Sequence, residues 1–204
     1  MFNFQYAKTF LMKKFMLPFL LFLSACSSKQ EKTEPQKNEN TDYLVSLDGI
    51  GAVKTNMKQD ELEALLKQKV PLGNLTDTIS GSWVDSATVK YKDAGLRLGF
   101  ERTYAYENVD SFHMRITGIK TESPLCKTAG GIGIGSTKQQ VIDGFDNYLL
   151  MMEPGFENDS SMVRSKITYT IKVREHREGP QMVFYLRNNK VQSIEVGYYY
   201  DDSE

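Results

Sequence analysis

The sequence predicts an α+β protein of two related modules, each a short N-terminal helix (or helical hairpin) followed by an antiparallel sheet of three to four strands. Three observations carry that expectation. The segment "VKTNMKQDELEALL" from Val53 returns as "IGIGSTKQQVIDGF" from Ile132, a spacing of about 79 residues. Polar helix-start signals precede an apolar stripe in both copies. Downstream of each, apolar residues recur at every second position, the period of a strand with one buried face.

The first element is a targeting segment. Lys13 and Lys14 precede the apolar run from Phe15 to Leu23, and Ser24, Ala25 and Cys26 follow. The run is about half the ~20 residues a spanning helix needs, so a secretory signal is expected over residues 1–25, with Met12 as an alternative start. Residues 26–42 carry Lys, Glu, Gln, Asn and one Pro but no sizeable apolar side chain. Such a composition buries too little surface to offset chain entropy, so a disordered tether is expected there.

The folded modules are expected over 43–122 and 123–204. Asn56 with Gln59, and Ser136 with Gln139, have capping-box spacing. Leu62, Leu65 and Leu66 line one face of the first helix; Val141, Phe145 and Leu149 line the second. Alternation then runs through Leu96, Leu98 and Phe100, and through Phe112, Met114 and Ile116. It returns at Ile167, Tyr169, Ile171 and Val173, and at Ile194, Val196, Tyr198 and Tyr200. "KDAG", "REGP" and "RNNK" supply the turns between strands.

If these apolar positions face the helices, the open sheet face carries Arg97, Glu101, His113, Arg115, Lys172, Arg174, Tyr185, Arg187, Glu195 and Tyr199. Trp83, Tyr104 and Tyr106 are expected at its rim. Arg and Tyr are enriched where binding energy concentrates, so this face is the candidate partner surface. An ordinary solvated face is the competing reading.

Two resemblances add to this. Leu23-Ser24-Ala25-Cys26 resembles a bacterial lipobox in all four positions, which implies cleavage before Cys26 and diacylation of its thiol. Ser27 after that cysteine resembles the common pattern for outer-membrane sorting. "TAGGIGIGSTKQQVIDGF", followed by "MVFYLRNNKVQSIEVGY", resembles the repeat of β-lactamase-inhibitor-protein-like domains and of small envelope lipoproteins of the BamE kind. The second half, Thr128 to Tyr200, matches that pattern well. The first, Leu47 to Ile119, matches loosely, with Asn56 and Met57 where Gly135 and Ser136 stand. The resemblance implies a tandem whose sheets grip another protein.

Composition limits the function classes. Losing residues 1–25 removes three lysines and no acids, taking the formal net charge from −1 to −4. That balance, without a basic run, argues against nucleic acid. With Cys26 lipidated, Cys126 has no partner thiol and reads as a small buried hydrophobe. His113 and His176 have no carboxylate at metal-ligand spacing, and "DNYLLMMEPGFEND" does not repeat a calcium loop. "GGIGIGS" has neither the dinucleotide spacing nor a P-loop lysine.

The expectation is therefore a non-enzymatic, lipid-anchored cell-envelope protein without cofactor or metal, binding another envelope protein. Two alternatives stand beside it. One is a structural part of an outer-membrane assembly complex; the other is a small envelope hydrolase or glycan binder. Cys26→Ala tests the anchor: labelling of cells with a radioactive fatty acid is expected to mark the parent chain and not the variant.

Overall fold

A computed structural model describes residues 41–73, 84–105, 108–157 and 162–198. The signal segment, Cys26 and the tether lie outside them, as do Trp83, Tyr106 and Tyr199. All described residues fall in one unit, Glu34–Glu204. A 3-10 turn, Thr41–Tyr43, leads into β1 (Leu44–Ser46), β2 (Gly49–Ile50), β3 (Val53–Lys54) and α1 (Gln59–Leu66). Next come β4 (Val84–Tyr91), β5 (Ala94–Ala105), β6 (Asn108–Thr121) and β7 (Lys127–Thr128). The chain continues through α2 (Lys138–Gly144), β8 (Leu149–Phe156), β9 (Arg164–Arg174), β10 (Pro180–Arg187) and β11 (Lys190–Tyr198). Among the described residues no helix is long and apolar enough to cross a membrane.

The strands form a small sheet, β3-β2-β1-β7, and a seven-stranded sheet, β4-β5-β6-β11-β10-β9-β8. The chain is thus mostly β, which overturns the expected pair of α+β modules. The physical reason lies in two places. The helices, at 8 and 7 residues, are only about two turns long. The last strands of the two halves pair with each other, so one antiparallel sheet runs through both.

That seam is short. Thr121, Lys120, Ile119 and Gly118 of β6 face Ile194, Glu195, Val196 and Gly197 of β11. A Cβ on Gly197 would come within 2.5 Å of the Thr117 carbonyl oxygen and 3.0 Å of Gly118 Cα, so glycine is what lets the two strands meet.

Beyond the seam each strand is closed by the helix entry of its own half. Asn56 N–H donates to Ile116 O (2.7 Å), and Ile116 N–H donates to Met57 O (3.0 Å). Gly135 N–H donates to Val191 O (2.9 Å), and Val191 N–H donates to Ser136 O (2.9 Å). Asn56 and Gly135 both take left-handed backbone, with φ of 64° and 85°. The 79-residue spacing marks this repeated stitch.

The helix caps differ from the expected ones. They are Lys58 and Thr137. Thr137 Oγ1 accepts from Gln140 N–H (3.2 Å), while Gln140 Oε1 accepts from Thr137 N–H (2.8 Å). At α1 only the return bond is possible, because an ammonium accepts nothing; Glu61 Oε2 accepts from Lys58 N–H (3.0 Å). The second helix also stops early: Phe145 is its C-cap, and Leu149 begins β8 instead of extending the apolar stripe.

Core residues line the inner face of the large sheet, Leu96, Leu98, Phe100, Ile116, Ile119, Ile171, Phe184 and Ile194 among them. Leu62 of α1 and Val141 of α2 pack in the same cluster with Val45, Ile50 and Val53 of the small sheet. Each such apolar side chain contributes about 1.5–3 kcal/mol on burial. Cys126 lies in this core; burial pushes its thiol pKa up, and Thr121 Oγ1 sits 3.7 Å from Sγ.

Gly197→Ala is expected to lower stability by about 1–3 kcal/mol through crowding at the seam. Gly95→Ala, where an added Cβ meets nothing within 4 Å, is expected to leave it unchanged. Chemical denaturation of the two variants checks this, and equal midpoints would refute the seam argument.

Candidate functional site

Because side chains alternate across a strand, the inward set Leu96, Leu98, Phe100 fixes Arg97, Gly99 and Glu101 on the opposite, open face. The pairing registers carry that face across the sheet in rows. One row reads Thr88, Arg97, Lys120, Glu195, Val183, Lys172, Met151, from β4 to β8. The next reads Ser86, Gly99, Gly118, Gly197, Gln181, Arg174, Leu149.

The second row places three glycines side by side on β5, β6 and β11. Gly99 and Gly118 of this row line an open depression of about 270 Å³, and Thr117, bulged out of β6 beside them, brings its Oγ1 to 3.1 Å from where a Cβ on Gly99 would stand. Ser86, Arg97, Lys120 and Glu195 stand around it, and Tyr198 completes the rim. Arg97 and Lys120 also border a second hollow of about 480 Å³ toward Thr88 and Glu122. The two cations are thus a ridge between two shallow basins.

The cations differ in their partners. Lys120 Nζ lies 4.1 Å from the Tyr185 ring centroid and 3.9 Å from Glu195 Oε2. Tyr185 Oη donates to the same Glu195 oxygen at 2.7 Å. Lys172 Nζ pairs with Glu153 at 3.1 Å. Arg174 Nε donates to Gln181 Oε1 at 2.7 Å, and its Nη1 to Arg177 O at 3.1 Å. The Arg97 guanidinium alone of these has no hydrogen-bond or ion-pair partner among the described residues.

The structure gathers only part of the sequence-derived set. Arg97 and Tyr185 border the Lys120–Glu195 group, whereas Lys172 and Arg174 stand four strands from Arg97, about 19 Å at the usual strand spacing. His113 and Arg115 lie farther along β6, and the buried Nε of Arg115 has no hydrogen-bond partner among the described residues. Arg187 is exposed beside the Asn188–Asn189 turn. Tyr199, Trp83, Tyr106 and Cys26 fall outside the described residues, as does the Tyr104 side chain.

The sequence reading missed Lys120 and the glycine row. The signal was present: Gly99, Gly118 and Gly197 each stand in "LGF", "TGI" and "VGY", beside an inward apolar residue. Val183 was missed too; it is buried on the open face, outside the apolar core cluster, between Glu195 and Lys172. Among the described residues no group of His, Cys, Asp and Glu is placed to hold a metal ion.

No protein-family model, no curated protein and no solved structure matches this chain.

A double-mutant cycle of Tyr185→Phe and Glu195→Gln is expected to give a coupling of about 1 kcal/mol, the size of a partly exposed, charge-assisted hydrogen bond. Additive effects in denaturation would show that the two side chains do not hold each other.

Proposed function

We propose that the chain is a non-catalytic protein-binding module of the bacterial cell envelope, held to a membrane by lipid on Cys26 and gripping another envelope protein across its open sheet face. The observation that carries this reading is the depression lined by Gly99 and Gly118 beside Arg97, whose guanidinium has no partner among the described residues. Gly99 and Gly118 keep the depression open between Ser86, Thr117 and Glu195, so a partner's side chain can enter it from the sheet face. Arg97 offers a planar, permanently charged fork to a carboxylate from that partner.

Size supports the same reading. Seven strands at about 4.8 Å give a face about 29 Å across, enough for the ~800 Å² per partner of a standard interface. The basins are wide and open, the form in which a protein surface is met and not that in which a small molecule is enclosed. The lipobox resemblance at Leu23-Ser24-Ala25-Cys26 supports the anchor, and Ser27 supports the outer membrane.

Arg97→Glu combined with Ser86→Trp reverses the free charge and fills the depression from its rim. Crosslinking in intact cells, followed by purification of the chain, is expected to recover a partner with the parent and to lose it with the double variant, circular dichroism being unchanged. Undiminished capture would remove the open face from the proposal.

A further inference from the structure

The two edges of the large sheet are built differently. On β4 the inner positions Ala87, Val89 and Tyr91 are buried, while Ser86, Thr88 and Lys90 meet solvent. β8 has no such division. Leu149 (51% exposed), Leu150 (38%), Met151 (49%) and Met152 (48%) are a run of four apolar residues on a strand that has β9 as its one neighbour among the described residues. Opposite partners fix their faces. Leu150 and Met152 stand beside the core residues Val173 and Ile171; Leu149 and Met151 stand beside Arg174 and Lys172 on the open face.

A long apolar edge strand is a template for another strand, since its outward N–H and C=O groups are unpaired. We propose that β8 pairs antiparallel with β8 of a second copy of this chain, joining two seven-stranded sheets about a two-fold axis normal to the sheet. The occupant is argued from match. A strand that covers this edge must be apolar on both faces, and an ordinary amphipathic strand would leave either Leu149 and Met151 or Leu150 and Met152 uncovered. β8 itself has that character.

Charge agrees. An isologous axis keeps each face on its own side, so residues meet as odd with odd and even with even. Centred on Met152, Glu153 faces Met151 of the second copy, whose next neighbour in the row is that copy's Lys172. Centred on Met151, Glu153 faces Leu149, with Arg174 beyond it. Both arrangements keep the two Glu153 carboxylates from opposing each other and bring a cation toward each. Pro154, which has no N–H to donate, limits the pairing to the strand's first part.

Cysteine at the axis tests this in the full chain produced in cells. Residues directly opposite in an antiparallel pair have Cα atoms about 4.5–5.5 Å apart, within disulfide reach. Under mild oxidation, Met151→Cys or Met152→Cys is expected to give a species of twice the monomer mass, well above the parent chain, and adding Leu150→Lys is expected to reduce it at least tenfold. Lys90→Cys on the opposite edge is expected to stay at the parent's level. If neither methionine position exceeds Lys90→Cys, or if the crosslinked species contains a different protein, the second-copy assignment is overturned. Sedimentation of the parent chain in detergent is an independent arm, in which a monomer at every concentration overturns it equally.

Discussion

The approach of β6 to β11 is the constraint on which the molecule depends. Four residue pairs hold the halves of the large sheet together, and at their end Gly118 faces Gly197. Beyond those pairs the two strands no longer bond to each other. Past the seam each diverges, and the edge it exposes is taken up by the helix entry of its own half, at Asn56–Met57 or Gly135–Ser136. The helix entries are therefore part of the sheet's hydrogen bonding, which is why they need left-handed backbone where the chain turns from edge to helix. Gly118, which meets Gly197 at the seam, also lines the depression with Gly99. One packing requirement thus bears on both the sheet and its candidate site.

That requirement also explains how far the sequence could be read. Strand phase was legible because alternation is local: Leu96–Leu98–Phe100 and Ile171–Val173 face the core as their spacing demands. The Asn188–Asn189 turn was legible for the same reason, both residues having positive φ, 51° and 60°. Pairing between Gly118 and Gly197 is not local: the glycine in "TGI" or "VGY" marks a strand position without naming its partner. Two short helices each followed by strands thus read as two modules. β8 was hidden by composition: "LLMM" has no alternation, and Leu149 stands four residues after Phe145, where a helix would continue its stripe. Ile167 kept the strand period but is 44% exposed.

Electrostatics on the open face follow from the row geometry. Glu195 stands beside Lys120 across the seam, and Tyr185 two positions along β10 reaches the same carboxylate, so one acid serves a cation and a phenol. Lys172 finds Glu153 one strand over. These groups satisfy one another in high dielectric and give the face order more than stability. Arg97 stands next to Lys120 in its row, and the acid beyond is already engaged. An anion from outside meets a guanidinium with no internal bond to lose among the described residues, beside the depression lined by Gly99 and Gly118.

The two surfaces thus differ in kind. The glycine row lies near the middle of the sheet, where strands pair on both sides and recognition has to come from side chains and shape. The β8 edge offers backbone groups and apolar area but little charge. A partner on the face would be selected by the position of an anion over Arg97; a strand at the edge would be selected by apolar character on both faces. Since β8 lies five strands from β5, roughly 24 Å at normal strand spacing, occupation of one does not block the other. Doubling the sheet through its β8 edges leaves both glycine rows on the same side of the joined sheet, because a two-fold axis normal to the sheet preserves its faces. Two copies would then present two Arg97 sites to a common surface, which makes a repeated or bivalent partner the one best held.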